Sequence, residues 1–390
     1  MQRKIYLNWH ANNRFGWGIL GLNVFFHWAH DPEVRPLMGM PISEVDLQMV
    51  DPLRLSSSMA AIGESNRFQA ALQKENFSLR QRGVTLIDAL GNGFAIQQPR
   101  MGAVNIGRCI FEDTCLGNLD HALAKYDVLL CASRWNADLL AAHSSKPVKM
   151  IHEGIDHSLF FPGPRSGIND PGRFRIFSGG KVEYRKAQDL VLLAFREFSA
   201  RHDDAQLVTA WHSPWPRLAA GFQGRLAAPL GLDPHGMIDV RRWAAENGIA
   251  PDKVVDIGPV PNPVMPMVLR EMDCALLPSR AEACTNLPAK EAMACGVPVI
   301  LAENTGVRDL VGSDNCVPIR NQQPITGLPD SGTLGWGESS VDEIVAALEL
   351  LYTDTQRRRA IGANGAEWIL GEQRTWQAHA AQLKDFVLSL

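Results

Sequence analysis

No part of this sequence approaches the ~20 consecutive apolar residues of a bilayer-spanning helix, so no such helix is expected. Basic excess is missing too. Lys and Arg number 38 against 42 Asp and Glu, a formal charge of −4. Nucleic-acid binding demands a strongly basic surface, so no nucleic-acid partner is expected. The seven cysteines form no CxxC pair and no Cys/His spacing suited to zinc. An odd set of scattered thiols fits a reducing compartment. The opening MQRKIYLNWHANN lacks the apolar core of a leader peptide. The expected location is cytoplasmic, or at most peripheral at the inner membrane face. No two aspartates stand one residue apart, so a D-x-D chelating pair is missing and no metal site is expected.

What is present is an ordinary globular composition, 46% hydrophobic and 21% charged, over 390 residues. At roughly 150 residues per domain that length predicts two. Short β-branched or apolar runs alternate with helical patterns, the mark of parallel α/β sheets. Strands are predicted at 4–9, 84–90, 102–107, 126–133 and 148–154, with a Gly-rich turn and apolar helix over 15–28. The Pro/Gly-dense stretch 157–172 reads as a linker. Alternation then restarts, with strands at 173–180, 205–211, 254–260, 273–279 and 297–302 and helices at 185–202 and 341–354. Two doubly wound, Rossmann-like domains would present the carboxyl ends of their strands to a shared cleft. The short basic run RRRA at 357–360 reads as a solvated helix face, with contact to anionic lipid as its functional alternative.

Two segments carry chemistry. In EACTNLPAKEAMACGVPVI (282–300), Asn286 is placed to cap a helix whose first turn holds Pro288. The amides of Thr285, Asn286 and Leu287 would then face outward as an anion site. Glu291, about one turn into the helix, suits ribose hydroxyls, and Glu282 suits hydroxyls of a sugar beyond the phosphates. Singly, each glutamate fits a plainer reading better, Glu291 as a carboxylate answering the helix dipole and Glu282 as a surface loop residue; taken with the next segment, they do not. In SGGKVEYRKAQDL (178–190), a strand ends in glycines, among them Gly180, that permit close backbone approach. Lys181 and Lys186 follow, suited to a diphosphate. The plain alternative is a solvated charge cluster.

Together these segments resemble the family 4 retaining glycosyltransferases of GT-B fold. The shared pattern is GGK–x4–K before a helix, then PSxxE and NLP–x2–EAMACGVPVI. IHEGIDHSLFFPG (151–163) is similar to that family's interdomain segment. IGRCIFEDT (106–114) with VLLCASRWNADLL (128–140) resembles its FE[ST] branch. The resemblance implies that Lys181 and Lys186 bind the donor diphosphate, Glu282 the donor sugar and Glu291 the ribose. It implies a UDP- or GDP-linked sugar donor, a hydroxyl acceptor, no cofactor, and retention of anomeric configuration by a front-face route. It further implies that the C-terminal helix crosses back, giving domains of 1–156 plus 375–390 (acceptor side) and 157–374 (donor side). Three departures stand out. Eight residues rather than seven separate the two glutamates, Lys181 replaces the usual Arg, and Glu112 stands where many members carry a histidine.

In the first half, Gly16 and Gly18 permit a tight turn whose amides would approach the diphosphate. With Gly21 they spell GxGxxG, which also raises a dinucleotide-dependent dehydrogenase. That reading needs an acid at the end of a second strand. Asp31 and Glu33 are near, but no strand-like run precedes them. A nucleotide-sugar 2-epimerase of similar architecture and a non-catalytic sugar-nucleotide binder are the remaining alternatives. Glu112 is read either as a helix cap or as a cleft carboxylate facing donor sugar or acceptor.

Overall fold

The computed structural model describes residues 2–74, 78–95, 99–117, 119–328, 331–371 and 374–390. Two six-stranded parallel sheets organise them. The first contains β1 (Arg3–Asn8), β2 (Val34–Met38), β3 (Thr85–Leu90), β4 (Val104–Cys109), β5 (Val128–Cys131) and β6 (Val148–Met150), in the order β2-β1-β3-β4-β5-β6. The second contains β7 (Phe174–Lys181), β8 (Ala205–His212), β9 (Val254–Asp256), β10 (Cys274–Leu277), β11 (Val299–Ala302) and β12 (Val317–Ile319), in the order β12-β11-β10-β7-β8-β9. Each sheet is covered on both faces, which is why its strands read as continuous apolar runs. The α/β expectation holds, and every strand predicted from the sequence is present.

The edge strand β2 escapes sequence reading because Arg35 and Pro36 interrupt its apolar pattern. Proline is tolerated there because an edge strand leaves one side unpaired. Asp31 and Glu33 precede β2 and both pair with Lys384, at 2.9 and 3.0 Å. They therefore stand at the wrong end of that strand for a dinucleotide ribose, which removes the dehydrogenase geometry.

On one face of the first sheet, helix Gly16–Trp28 packs beside the terminal helix Trp376–Ser389. Trp28, Trp376, Ala380, Leu383 and Val387 share one core with Ile5, Leu7 and Ile106. Trp28 Nε1 donates to the Ala380 carbonyl at 3.0 Å. The chain thus passes between the sheets twice, and the two passages pair. Ile155 N donates to Arg374 O at 2.9 Å and Trp376 N to Ile155 O at 3.0 Å. Gly154 is required there, since a Cβ would lie 2.3 Å from Trp376 N. Among the described residues no helix is long and apolar enough to cross a membrane. In the basic run, Arg357 pairs with Asp314 at 2.6 Å and Arg358 with Asp273 at 3.7 Å.

Candidate active site

The carboxyl ends of both sheets meet at a seam. Across it, Ser133 Oγ donates to Ala283 O at 2.5 Å, Arg134 N to Asp309 Oδ2 at 2.8 Å, and Asn262 N to Asn13 O at 2.9 Å. Trp336 Nε1 donates to the Glu112 carbonyl at 3.0 Å. Most of the residues singled out by sequence line this seam.

β7 ends in Gly179 and Gly180. At Gly180 φ is +126°, a conformation that side-chain-bearing residues avoid, and an added Cβ would sit 3.8 Å from Lys186 Cε. The chain then turns through Tyr184–Lys186 and reverses at Ala187, which adopts a left-handed φ of 58° before helix Gln188–Ser199. This turn lays Arg185 and Lys186 into the seam. The backbone carbonyl of Arg185 accepts from Arg280 N at 2.7 Å, fixing the turn to the loop after β10. Arg280 is itself buried in a two-pronged pair with Asp189, at 2.8 and 2.7 Å.

That second loop carries Glu282, only 4% exposed. Lys186 Nζ donates to both its oxygens, at 2.7 and 2.8 Å, and Arg185 Nη1 to Oε2 at 2.9 Å. Ser279 Oγ and Asn286 Nδ2 each donate to Oε1 at 2.7 Å. Burial works to raise the Glu282 pKa, but Lys186 and Arg185 outweigh it and hold it below the usual carboxylate value.

Asn286 also caps helix Leu287–Ala294, its Oδ1 accepting from Ala289 N at 3.2 Å, with Pro288 in the first turn as the sequence predicts. Thr285 and Asn286 precede this helix and Leu287 opens it, and the first amides of a helix lack intrahelical partners. Thr285 is 3% exposed, and its Oγ1 has no hydrogen-bond partner among the described residues. Leu287 packs against the core of the first sheet.

Glu291 lies apart from this network, 5% exposed and accepting from Asn262 Nδ2. Burial pushes its carboxyl up to about 8, against weaker opposition from Asn262 and Lys290.

Lys181 is not brought to Glu282. Its amine pairs with Glu183 at 2.7 Å and lies 5.9 Å from the Trp215 ring. Glu183 also takes Arg185 Nη2 at 2.7 Å. Burial opposes ionisation of Glu183, but Arg185 and Lys181 bring its pKa down to about 2.

Glu112 caps no helix. Its Oε1 faces Arg185 Nη1 at 3.3 Å across the seam. Gly16 opens its helix with free space where a Cβ would be. Gly18 is packed on Asn12, whose side chain would lie 2.4 Å from an added Cβ. Beside them Phe15 stacks on His212 of the second sheet, ring centroids 5.7 Å apart. Sequence reasoning missed Arg185 and Asn262. The first was legible in KVEYRK, where acids and bases crowd a strand-to-helix turn. The second sits in PNPV, which carries no readable charge.

Residues 173–326 match the family profile described as Glycosyl transferases group 1. Over that stretch the chain is similar to the group 1 glycosyltransferases. Lys181, Lys186, Glu282 and Glu291 all fall inside the matched stretch, whereas Gly16, Gly18 and Glu112 lie outside it. The chain is 29% identical over 197 residues to D-inositol 3-phosphate glycosyltransferase 1 of Catenulispora acidiphila, 48% of this chain and 44% of that protein. It is 26% identical over 246 residues to a GDP-mannose-dependent alpha-(1-6)-phosphatidylinositol monomannoside mannosyltransferase of Mycobacterium tuberculosis, 62% and 55% respectively. The chain thus spans about half the length of the curated relatives it matches. Sucrose-phosphate synthase of Thermosynechococcus elongatus superposes over 100% of this chain and 99% of its own, with TM-score 0.67 at 16% identity. The fold of this chain is GT-B.

Proposed function

We propose that this chain is a retaining glycosyltransferase that moves a sugar from a nucleoside diphosphate sugar to an acceptor hydroxyl. The observation that carries the reading is Lys186, held with Arg185 by Glu282 beside the Asn286-capped helix terminus, with Glu112 facing Arg185 across the seam. The diphosphate would lie against Lys186 and the amides of Thr285, Asn286 and Leu287, with Lys181 and the Gly16–Gly18 turn at its margin. Glu291 would take the ribose. As the bond from the anomeric carbon to the diphosphate breaks, negative charge grows on the departing oxygen. Fixed cations and a helix terminus stabilise that charge without reorganising. The acceptor oxygen bonds to the same face of the sugar, and its proton passes to the departing phosphate. No divalent cation is needed in this scheme, in keeping with a sequence that has no D-x-D pair.

The segments 1–156 plus 375–390 would present the acceptor, and 157–374 the donor. Two relatives named for inositol phosphate and phosphatidylinositol mannoside acceptors support a polyol or glycolipid acceptor here. Seven free thiols support a cytoplasmic location, with the protein working at the inner membrane face when its acceptor is a lipid.

Thermal unfolding in the presence of a sugar-nucleotide panel tests the reading. A donor at 100 times its Kd stabilises by about 2.7 kcal/mol. A uniform lack of response to UDP- and GDP-linked sugars would reject it.

A further inference from the structure

Resting on that donor-site reading, the geometry redistributes the roles of its carboxylates. An ionised carboxylate offers about four lone-pair sites. Glu282 already accepts five contacts from four protein donors, three on Oε1 and two on Oε2, all between 2.7 and 2.9 Å. A sugar hydroxyl could bind Glu282 only by displacing one of them. Displacing Lys186 or Arg185 would leave a cation short of its counter-charge in a desolvated setting, a costly exchange.

Glu112 is different. Its backbone is clamped on both sides, with N donating to Asn92 Oδ1 at 2.8 Å and O accepting from Trp336 Nε1 at 3.0 Å. Its carboxylate meets Arg185 through Oε1 alone, at 3.3 Å. Glu112 therefore has the accepting capacity that Glu282 lacks. Arg185 joins the two: Nη1 is shared between Glu282 Oε2 at 2.9 Å and Glu112 Oε1 at 3.3 Å, while Nη2 holds Glu183 at 2.7 Å. A rigid guanidinium fork suits such a three-way bridge where a lysine would not.

We infer that Glu282 anchors the cations Lys186 and Arg185, that Glu112 accepts a hydroxyl of the transferred sugar, and that Arg185 is the positioning residue that aims Glu112 across the seam.

Calorimetric titration with matched pairs, GDP with GDP-mannose and UDP with UDP-glucose, decides the matter. The proteins are the wild type, Glu112→Gln, Glu282→Gln, Arg185→Lys and the Glu112→Gln/Arg185→Lys double variant. Glu112→Gln should bind the bare diphosphate as the wild type does and the sugar nucleotide roughly tenfold or more weakly, the worth of a hydrogen bond to a charged group. Glu282→Gln should weaken both ligands equally, because it acts through Lys186. Arg185→Lys should weaken the sugar nucleotide, and the double variant should lose no more than the worse single one. Two results overturn the inference: Glu282→Gln sparing the bare diphosphate while losing the sugar nucleotide, or Glu112→Gln losing neither. The Glu112 arm stands alone if Glu282→Gln does not fold. Wild type binding neither diphosphate would instead reject the donor site itself.

Discussion

Lys186 is the side chain on which the proposed chemistry leans most, because its amine is largely buried and held by both oxygens of Glu282. Lys186→Ala should lower turnover by roughly 100-fold or more, the scale of losing one preorganised charge partner. Its unfolding profile, compared with the wild type, checks that the fold survives. Glu291 gives a pH prediction. Its folded-state pKa of about 8 lies above the unfolded value, so the free protein carries a protonated Glu291 at neutral pH. Ionising it costs folding stability progressively as pH rises from about 4.3 to about 8. Ribose hydroxyls favour the ionised form. Affinity for a nucleoside diphosphate should therefore climb from pH 6 to about 8 and level off above, while Glu291→Gln binds with a flat profile. Calorimetry across that range would expose the error if the wild type were flat as well. Glu183 runs the other way. Its pKa of about 2 means that its stabilising ion pairs persist above the unfolded carboxyl value and are lost as pH falls through it. The types and positions of Lys186, Glu282 and Glu291 were legible because each sits in a short motif beside a strand end. What Glu282 holds was not, since its partners at 185, 186 and 279 converge only through the sheet.

Among the elements, helix Leu287–Ala294 was legible down to its cap, because Asn before Leu-Pro is a local signal that tertiary packing had no reason to override. Asn286→Ala removes both the cap and a donor to Glu282. It should cost about 1 kcal/mol in stability from the cap alone. It should also weaken diphosphate binding, which Ser340→Ala, at the cap of the remote helix Val341–Thr353, would not do; equal diphosphate affinity in both variants would disprove a link between cap and site. Strand β2 and helix Pro52–Lys74 were not legible. Pro36 breaks the first pattern, and the second helix mixes Ser, Arg and Gln around its whole circumference, so no apolar stripe announces it. At the passage between sheets, the requirement for Gly154 comes from Trp376, more than 200 residues away in sequence, and no local reading could supply it. Gly154→Ala should therefore destabilise the chain by about 1–3 kcal/mol through overpacking. A neutral effect on thermal unfolding would mean that the two passages can separate freely.

At the scale of the whole molecule, the twofold restart of strand–helix alternation was enough to read two doubly wound sheets, and the apolar positions Trp376, Ala380, Leu383 and Phe386–Val387 approximate one helical stripe with a face to bury. The partner of that stripe is visible only in three dimensions, where Leu383, 1% exposed, joins the core of the first sheet. Leu383→Ala should cost about 2–5 kcal/mol. Loosening the helix at its passage should also reduce donor turnover, because seam closure excludes water from the reacting centre. The most direct test of the central claim is donor turnover itself. Purified protein, excess chelator and a panel of sugar nucleotides would be followed for nucleoside diphosphate release, with and without polyol and glycolipid acceptors. The account predicts release from one donor, accelerated by an acceptor, unaffected by the chelator, and roughly 100-fold slower in Lys186→Ala. Consumption of no donor above the Lys186→Ala rate would contradict it.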